Sequence, residues 1–504
     1  MRIDKNASSN LEEQPTSSRA SSLDINDAEM QALSGQFVTL AQKYFANVSN
    51  FPVFPQTTGV EIAKEINTPA PGEPQSLDEL LIDCQTVIQG CRHNGHPRFF
   101  GYVASPSTPA GAFADLLASA VNPSVTSWRS APAATQVERT VVRWLGSLIG
   151  YDENAHGLLT SGGSMANLTA LLMAHRVKAG STISQTGLLN FGARMMIYAS
   201  DQVHFSIVKA ADILGLGKES VRLLPADKNF CMDAKTLRAA VQNDLEAGLR
   251  PFCVVASAGT AATGAIDPLT DIADVASEFN LWFHIDGAYG APAAMIDKRR
   301  EMFAGLERAD TVSLDPHKWL YTPVDCGCLL YRDAAAARQA FVTEADYVKV
   351  HEEAETESFA FWDYGIELSR RFRALKIWLT LKYYGARRLA AAIADDITTA
   401  EYMAEQVESA TDFELLAPVP LSICCFRYLP STLRDPADDS ELNRLNERIM
   451  HRVQRGGKAY LSNAMLRGKF ALRACIINFR TTRADIDLTL EIVRQAAKEI
   501  EAEN

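Results

Sequence analysis

The sequence predicts an α/β protein, with a large domain built on a mostly parallel sheet and a small α+β domain at the C-terminal end. Three observations carry this reading. From Leu159 to Tyr331, short apolar runs alternate with helix-period segments, as strands buried on both faces alternate with crossover helices. The residues with evident chemistry stand just past the ends of those runs, where open α/β sheets bind ligands. Beyond Arg387 the pattern changes to isolated strands among longer helices. A chain of 504 residues is also too long for one simple core and implies at least two domains.

Bulk composition narrows the function classes. Hydrophobic content of 47% with 22% charged residues is that of an ordinary soluble protein. A formal charge of −12 argues against nucleic acid or an anionic membrane as partner, since both require a basic surface. No apolar run is long and charge-free enough to span a bilayer, and the N-terminus lacks the apolar centre of a signal peptide. Nine cysteines without C-x-x-C spacing read as buried thiols in a reducing compartment, which makes cytoplasm the expected location.

Taken in order, residues 1–28 are polar and expected to be disordered. Residues 29–105 read as an N-terminal helical segment, too poor in apolar mass to stand alone, that packs on a partner subunit or on the main domain. It holds an amphipathic helix from Glu29 to Phe45, a Pro-rich connector from Asn67 to Pro74, and a helix that Ser76 can cap. The large domain is expected over 106–390 and the small one over 391–504. Helices are predicted over Ala110–Ala120, from Pro132 onward, over Val203–Leu214, and from Leu368 to Tyr384. Strands are predicted at Arg194–Ser200, Pro251–Ser257, Trp282–Ile285, Thr311–Leu314 and Cys326–Tyr331. In the small domain they are expected at Leu421–Tyr428 and Phe470–Asn478.

Four loops carry candidate chemistry. Leu159-Thr-Ser-Gly-Gly-Ser-Met-Ala-Asn-Leu168 runs from an apolar segment through a Ser/Gly turn into a helix. Small residues, hydroxyls and a helix N-terminus there make a phosphate cradle, although a plain N-cap is as frequent a use of such a turn. Neither G-x-x-x-x-G-K nor G-x-G-x-x-G is present. His204 follows one strand, Asp286 ends another, and Lys318 interrupts two apolar runs within Asp315-Pro-His-Lys. A buried lysine must pair, snorkel or react. A metal centre lacks a third ligand near His284 and Asp286, so no metal is expected. The set fits pyridoxal phosphate: a lysine for its aldehyde, an acid for its ring nitrogen and backbone donors for its phosphate. Taken singly, Asp286 reads more readily as a helix or turn cap, and His204 or His317 can be read as a satisfied core group.

Asp315-Pro-His-Lys-Trp-Leu320, with His284-Ile-Asp286 and Asp201-Gln-Val-His204, resembles the group II pyridoxal-phosphate decarboxylases. These include aromatic amino acid, histidine, glutamate and cysteine-sulfinate decarboxylases, and the resemblance spans about residues 60 to 490. It implies a fold-type I, aspartate-aminotransferase-like large domain and a homodimer with active sites at the subunit interface, the N-terminal segment packing across it. It further implies that Lys318 is the Schiff-base lysine, Asp286 the partner of the ring nitrogen, and His204 the stacking residue, with Ala288 on the other face. Thr260 would meet the ring's hydroxyl side, while Gly163, Ser164 and His317 would hold the phosphate or a bound carboxylate. Alignment of Phe341–Lys349 with the family's loop places the proton-donating tyrosine at Tyr347, where oxidative, aldehyde-forming relatives carry phenylalanine.

For the substrate pocket, Phe99, Phe100 and Tyr102 resemble the aromatic wall of the aromatic amino acid decarboxylases. Val103 replaces a frequent phenylalanine, and Ser124 and Thr126 form a smaller, more polar wall than the usual one. The expected activity is therefore decarboxylation of an L-amino acid to amine and carbon dioxide, an aromatic substrate favoured. An acidic substrate held by Arg98 or Arg129, an oxidative relative and a silent partner-binding homologue are the alternatives.

Overall fold

The computed structural model describes residues 23–180, 183–188, 192–342, 357–430 and 439–503. The chain divides into two compact units, Met1–Val48 with Gly59–Gly90, and Ser49–Thr58 with Cys91–Asn504.

The first unit is helical. The helix Asp27–Asn47 begins earlier than its hydrophobic period suggested, because Asn26 and Glu29 form a capping box that closes its first turn. Gly59–Ile66 and Leu77–Gly90 follow, the latter opened by Ser76 and Glu79 in the same reciprocal arrangement. None of the described residues in these three helices is buried.

Two sheets organise the second unit. In chain order the strands are β1 (Phe99–Phe100), β2 (His156–Thr160), β3 (Met195–Ser200), β4 (Val221–Leu224), β5 (Arg250–Ser257) and β6 (Trp282–Asp286). They continue as β7 (Thr311–Leu314), β8 (Gly327–Tyr331), β9 (Phe413–Leu415), β10 (Ile423–Tyr428), β11 (Tyr460–Leu466) and β12 (Lys469–Cys475). The seven-stranded sheet has the order β2-β8-β7-β6-β5-β3-β4. Parallel pairing links β4, β3, β5, β6 and β7, and β8 alone runs against its neighbours. Its central strands are buried along both faces, which explains their unbroken apolar runs.

The five-stranded sheet, β1-β11-β12-β10-β9, contains three strands absent from the sequence expectations, β1, β9 and the longest, β11. A two-residue turn with positive φ at Arg467 and Gly468 joins it to β12, the backbone that a tight hairpin requires. Its apolar run is interrupted by Ser462 and Asn463, which line the cavity described below. β1 joins β11 in parallel, across 360 residues of sequence, pairing Phe99 with Tyr460 and Phe100 with Leu461.

One expected helix is shorter than predicted. Leu368–Tyr384 has helical period throughout, yet the helix starts at Ala374. Arg370 is drawn instead into a buried ion pair with Glu138, donating also to the carbonyls of Val125 (3.0 Å) and Leu159 (2.8 Å). Its own carbonyl accepts from the Val125 amide, so side-chain and backbone bonds together hold the segment out of a helix. Of the described residues, no helix is long and apolar enough to cross a membrane.

Candidate active site

The C-terminal ends of β3, β5, β6 and β7 open on one cavity of about 760 Å³. β2 ends beside it, and Ser161 to Ser164 carry the chain into the helix Gly163–Ala179. No side chain caps that helix, so its first amide donors remain available to a ligand. The turn is held close by its neighbours. A Cβ at Gly163 would sit 2.9 Å from Asp315 Oδ2 and 3.0 Å from Ala288 Cβ. Gly327 on β8 packs directly against the turn, where a Cβ would stand 2.5 Å from Gly162 Cα.

Lys318 lies on the short helical turn Pro316–Trp319 that follows β7. Its ammonium meets Asp315 Oδ2 at 2.9 Å. Burial pulls Lys318 toward the neutral amine, but Asp315 and then Asp286 outweigh it and raise the group above the ordinary lysine range. His317 Nδ1 donates to the Cys326 carbonyl at 2.6 Å, which orients the ring, and burial lowers its basicity. Behind the turn, the fully buried Asp396 accepts from the Trp319 indole (2.9 Å) and the Tyr321 hydroxyl (2.7 Å). Trp319 also stacks on Tyr289, with ring centroids 4.9 Å apart. These contacts of Trp319 and Tyr321 fix the turn on which the lysine stands.

Asp286, at the last position of β6, accepts from Asn167 Nδ2 (2.8 Å), Ser313 Oγ (3.0 Å) and its own loop's Ala288 amide (3.2 Å). Burial opposes its ionisation, but the Lys318 charge leads the groups that outweigh it and hold the carboxyl below the usual aspartate range. His204, on the turn after β3, faces Ser206 Oγ at 2.7 Å, and burial lowers its basicity. The expected helix over Val203–Leu214 begins only at Ser206, which leaves His204 free to line the cavity. Thr260 is buried after β5 and bonds to Thr263 Oγ1 at 3.0 Å.

The cavity thus gathers Gly163, Ser164, His204, Thr260, Asp286, Ala288, His317 and Lys318, together with Tyr102 and Val103 at its edge. It does not gather the rest of the expected wall. Phe99 and Phe100 are buried in the small sheet, packed with Tyr460 and the second core respectively. Ser124 and Thr126 lie on a separate turn, where Thr126 bonds to Ser130. Arg98 is committed to Asp485 at 2.9 Å. Tyr347 falls outside the described residues.

Other cavity residues escaped the sequence reading. Asn167 sits inside the quoted cradle motif, but a mid-helix asparagine carries no signal of its own. Asp315 stands three residues before Lys318, the spacing that makes their ion pair possible on one helical turn. Arg473, from β12, is 4% exposed and spends Nε and Nη1 on the Ala262 and Tyr102 carbonyls and on Ser462 Oγ. A buried arginine in a strand of the other sheet is placed here only by the chain's return.

An amine beside a carboxylate, a second buried carboxylate, a neutral imidazole and a close-packed turn with available amides are together the donor set pyridoxal phosphate requires. The close approach at Gly163, which leaves no space for a Cβ, favours a ligand bound to backbone rather than side chains. Residues 60–429 match the family model described as the pyridoxal-dependent decarboxylase conserved domain. The chain is 35% identical to an aromatic-L-amino-acid decarboxylase of Bacillus atrophaeus, over 95% of this chain and 97% of that protein. It is 30% identical to a phenylacetaldehyde synthase of a Rosa hybrid cultivar, over 94% of this chain and 95% of the other. The solved Oryza sativa TDC with PLP and tryptamine superposes with a TM-score of 0.87 at 28% identity, over 94% of this chain and 99% of that one. With its fold and sequence both matched along most of its length, the chain belongs to the group II pyridoxal-phosphate-dependent decarboxylases and is an enzyme of the carboxy-lyase type.

Proposed function

We propose that this enzyme decarboxylates an L-amino acid with an aromatic side chain, giving the amine and carbon dioxide. One observation carries the reading. The mouth of the cavity is formed by Tyr102, Val103, Phe205, Val324 and Met465, an apolar and aromatic rim over a floor of charged groups. Such a rim suits a flat apolar side chain, while Arg473 offers a buried cation to the substrate's carboxylate.

Pyridoxal phosphate, when bound, supplies a carbonyl that an amine can condense with and a ring that withdraws electrons from the bond breaking at the amino acid's Cα. The chain's residues do the remaining work. Lys318 would be the amine that holds the cofactor, with Asp315 beside it at 2.9 Å. Asp286, as a carboxylate, would keep the ring nitrogen protonated. His204 and Ala288 would confine the ring, Thr260 would meet its hydroxyl side, and Gly163, Ser164 and His317 would hold the anionic end. Tyr347 is the residue from which the product carbon takes its proton. Burial of Asp286 and partial burial of Lys318 limit the water that would otherwise screen these charges.

The proposed assembly is a homodimer with fold-type I, aspartate-aminotransferase-like large domains and shared active sites in the cytoplasm. Ser124 and Thr126, remote from this chain's own cavity, belong in this reading to the site of the second copy. A second reading, an acidic substrate, rests on Arg473, since a buried guanidinium serves a side-chain carboxylate equally well. Two measurements test these assignments. Lys318→Ala is expected to abolish both the visible absorbance of the lysine-bound cofactor and turnover; retention of either removes Lys318 from its role. A panel of L-amino acids assayed together for amine, carbon dioxide and peroxide is expected to give amine and carbon dioxide in equal amounts from aromatic substrates. Preference for glutamate or cysteine sulfinate selects the acidic reading, and aldehyde with peroxide selects the oxidative one.

A further inference from the structure

Asn167 makes three side-chain hydrogen bonds within the site while itself 1% exposed. Its Nδ2 donates to Asp286 Oδ2 at 2.8 Å and to Ser206 Oγ at 3.0 Å. Its Oδ1 faces His284 Nε2 at 3.0 Å. The carboxylate decides which way the amide points, because the reverse orientation would set Oδ1 against Asp286. An amide oxygen only accepts, so His284 carries its proton on Nε2. His284 Nδ1 then accepts from Thr311 Oγ1 at 2.9 Å, and that hydroxyl accepts in turn from the Trp282 indole at 3.0 Å. On the other side, Ser206 Oγ accepts from Asn167 and keeps a second lone pair and its own proton, either of which can meet His204 Nδ1 at 2.7 Å. The Ser206 amide also donates to that nitrogen at 3.3 Å, which leaves His204 protonated on Nε2 alone. The contacts of Asn167, His284 and Thr311 leave no donor facing a donor, and the Ser206 amide decides the tautomer of His204.

We propose that Asn167 is a positioning residue that sets the protonation pattern of the site, holding Asp286 as an ionised acceptor and His204 as a neutral Nε2–H donor. The proposal rests on the reading of Asp286 as partner of the cofactor's ring nitrogen and of His204 as the residue on its face. The titratable groups facing Asp286 are Lys318, His284 and His204. Burial lowers the basicity of both histidines, His284 to about 4, so neither supplies a fixed positive charge at neutral pH. Among the described residues, the amide's two N–H bonds link Asp286 through Ser206 to the stacking histidine. Replacing that amide with a group that cannot donate frees Asp286 to take up a proton and releases the tautomer of His204.

Three variants test this: Asn167→Asp, Asn167→Leu and Thr311→Val. The first replaces a donor with a second carboxylate at the same place, the second removes all three bonds, and the third unlocks the network from its far end. Each is loaded with pyridoxal phosphate, titrated for the pH midpoint of its visible absorbance, measured for cofactor dissociation constant, and assayed for kcat and KM. The expected result is a midpoint moved by about one pH unit or more in both Asn167 variants, equivalent to tenfold in the proton equilibrium. Cofactor affinity and kcat are expected to fall at least tenfold, with KM changed less, and Thr311→Val should follow in the same direction with a smaller shift. Midpoints and kcat within twofold of the parent in the loaded Asn167 variants overturn the proposal. If the Asn167 variants fail to load, an unmoved midpoint in Thr311→Val overturns it instead. Lys318→Ala separates the two levels: should that variant keep its absorbance and turnover, the site reading itself has failed, whereas its loss beside silent Asn167 variants removes only the role of Asn167.

Discussion

The buried pair Glu138–Arg370 makes an unequal prediction for its two halves. The side chains are 0% and 1% exposed, and Glu138 Oε1 accepts both the Arg370 guanidinium and the Leu159 amide, the latter at 2.9 Å. Breaking a buried ion pair by removing one partner costs about 3–5 kcal/mol, because the remaining charge is left uncompensated. Glu138→Gln keeps an acceptor for Leu159 but strands the guanidinium, so a loss within that range is expected. Glu138→Ala adds an unsatisfied Leu159 amide, worth roughly 1–3 kcal/mol more. Arg370→Met strands a carboxylate. A carboxylate can escape by taking up a proton, while a guanidinium cannot lose one. The cost of Arg370→Met therefore shrinks as pH falls from 8 to 5, whereas that of Glu138→Gln stays level. The double replacement Glu138→Leu/Arg370→Met is expected to cost much less than the sum of the single changes. Urea unfolding followed by fluorescence and circular dichroism at several pH values measures all four. A loss below about 1 kcal/mol for Glu138→Gln, against the range expected for a broken buried pair, or parallel pH profiles for the two single variants, refutes the reasoning.

Two further outcomes follow from the geometry. Burial pushes His96, His175 and His284 down to about 4, so each stays neutral in the fold at pH values where the unfolded chain would bind a proton. Since the unfolded state binds more protons between about pH 6.5 and 4, stability must fall as pH falls through that window, by up to about 3 kcal/mol per histidine. Unfolding midpoints at pH 7 and pH 5 check this, and equal midpoints contradict it. Gly163→Ala would force its Cβ against Asp315 and Ala288 at 2.9 and 3.0 Å. It is expected to weaken pyridoxal phosphate at least tenfold, about 1.4 kcal/mol, in a titration of the apoenzyme, with little change in fold.

β3, β5, β6, β7 and β8 were legible in the residues, because strands buried on both faces must be continuously apolar, whereas the edge strand β4, half exposed, was not. The same logic located Lys318, Asp286, His204 and the Ser161–Ser164 turn, since ligands meet a parallel sheet at the C-terminal ends of its strands. Local chemistry was less legible where long-range contacts override it. Leu368–Arg373 has helical period but is held open by Glu138, 232 residues earlier in the chain. β11 hides its strand character because Ser462 and Asn463 face a cavity, and a polar residue facing a ligand looks in sequence like one facing water. Phe99 and Phe100 have the composition of a pocket wall, yet pairing with Tyr460 and Leu461 buries them in the second sheet.

By itself, then, the sequence determined the α/β class, the family and the four loops that carry the chemistry, because each depends on residue types and periods within a few positions of one another. The tertiary structure alone decided how those loops are joined: Asp286 brought near Lys318, Arg473 entering from the other sheet, and Asn167 linking Asp286 to His284 and Ser206. Those contacts connect residues more than a hundred positions apart in the chain in the case of Asn167 and Asp286. A hydrogen bond of 2.8 Å depends on where two side chains arrive, which the packing of the whole domain sets and no local pattern encodes.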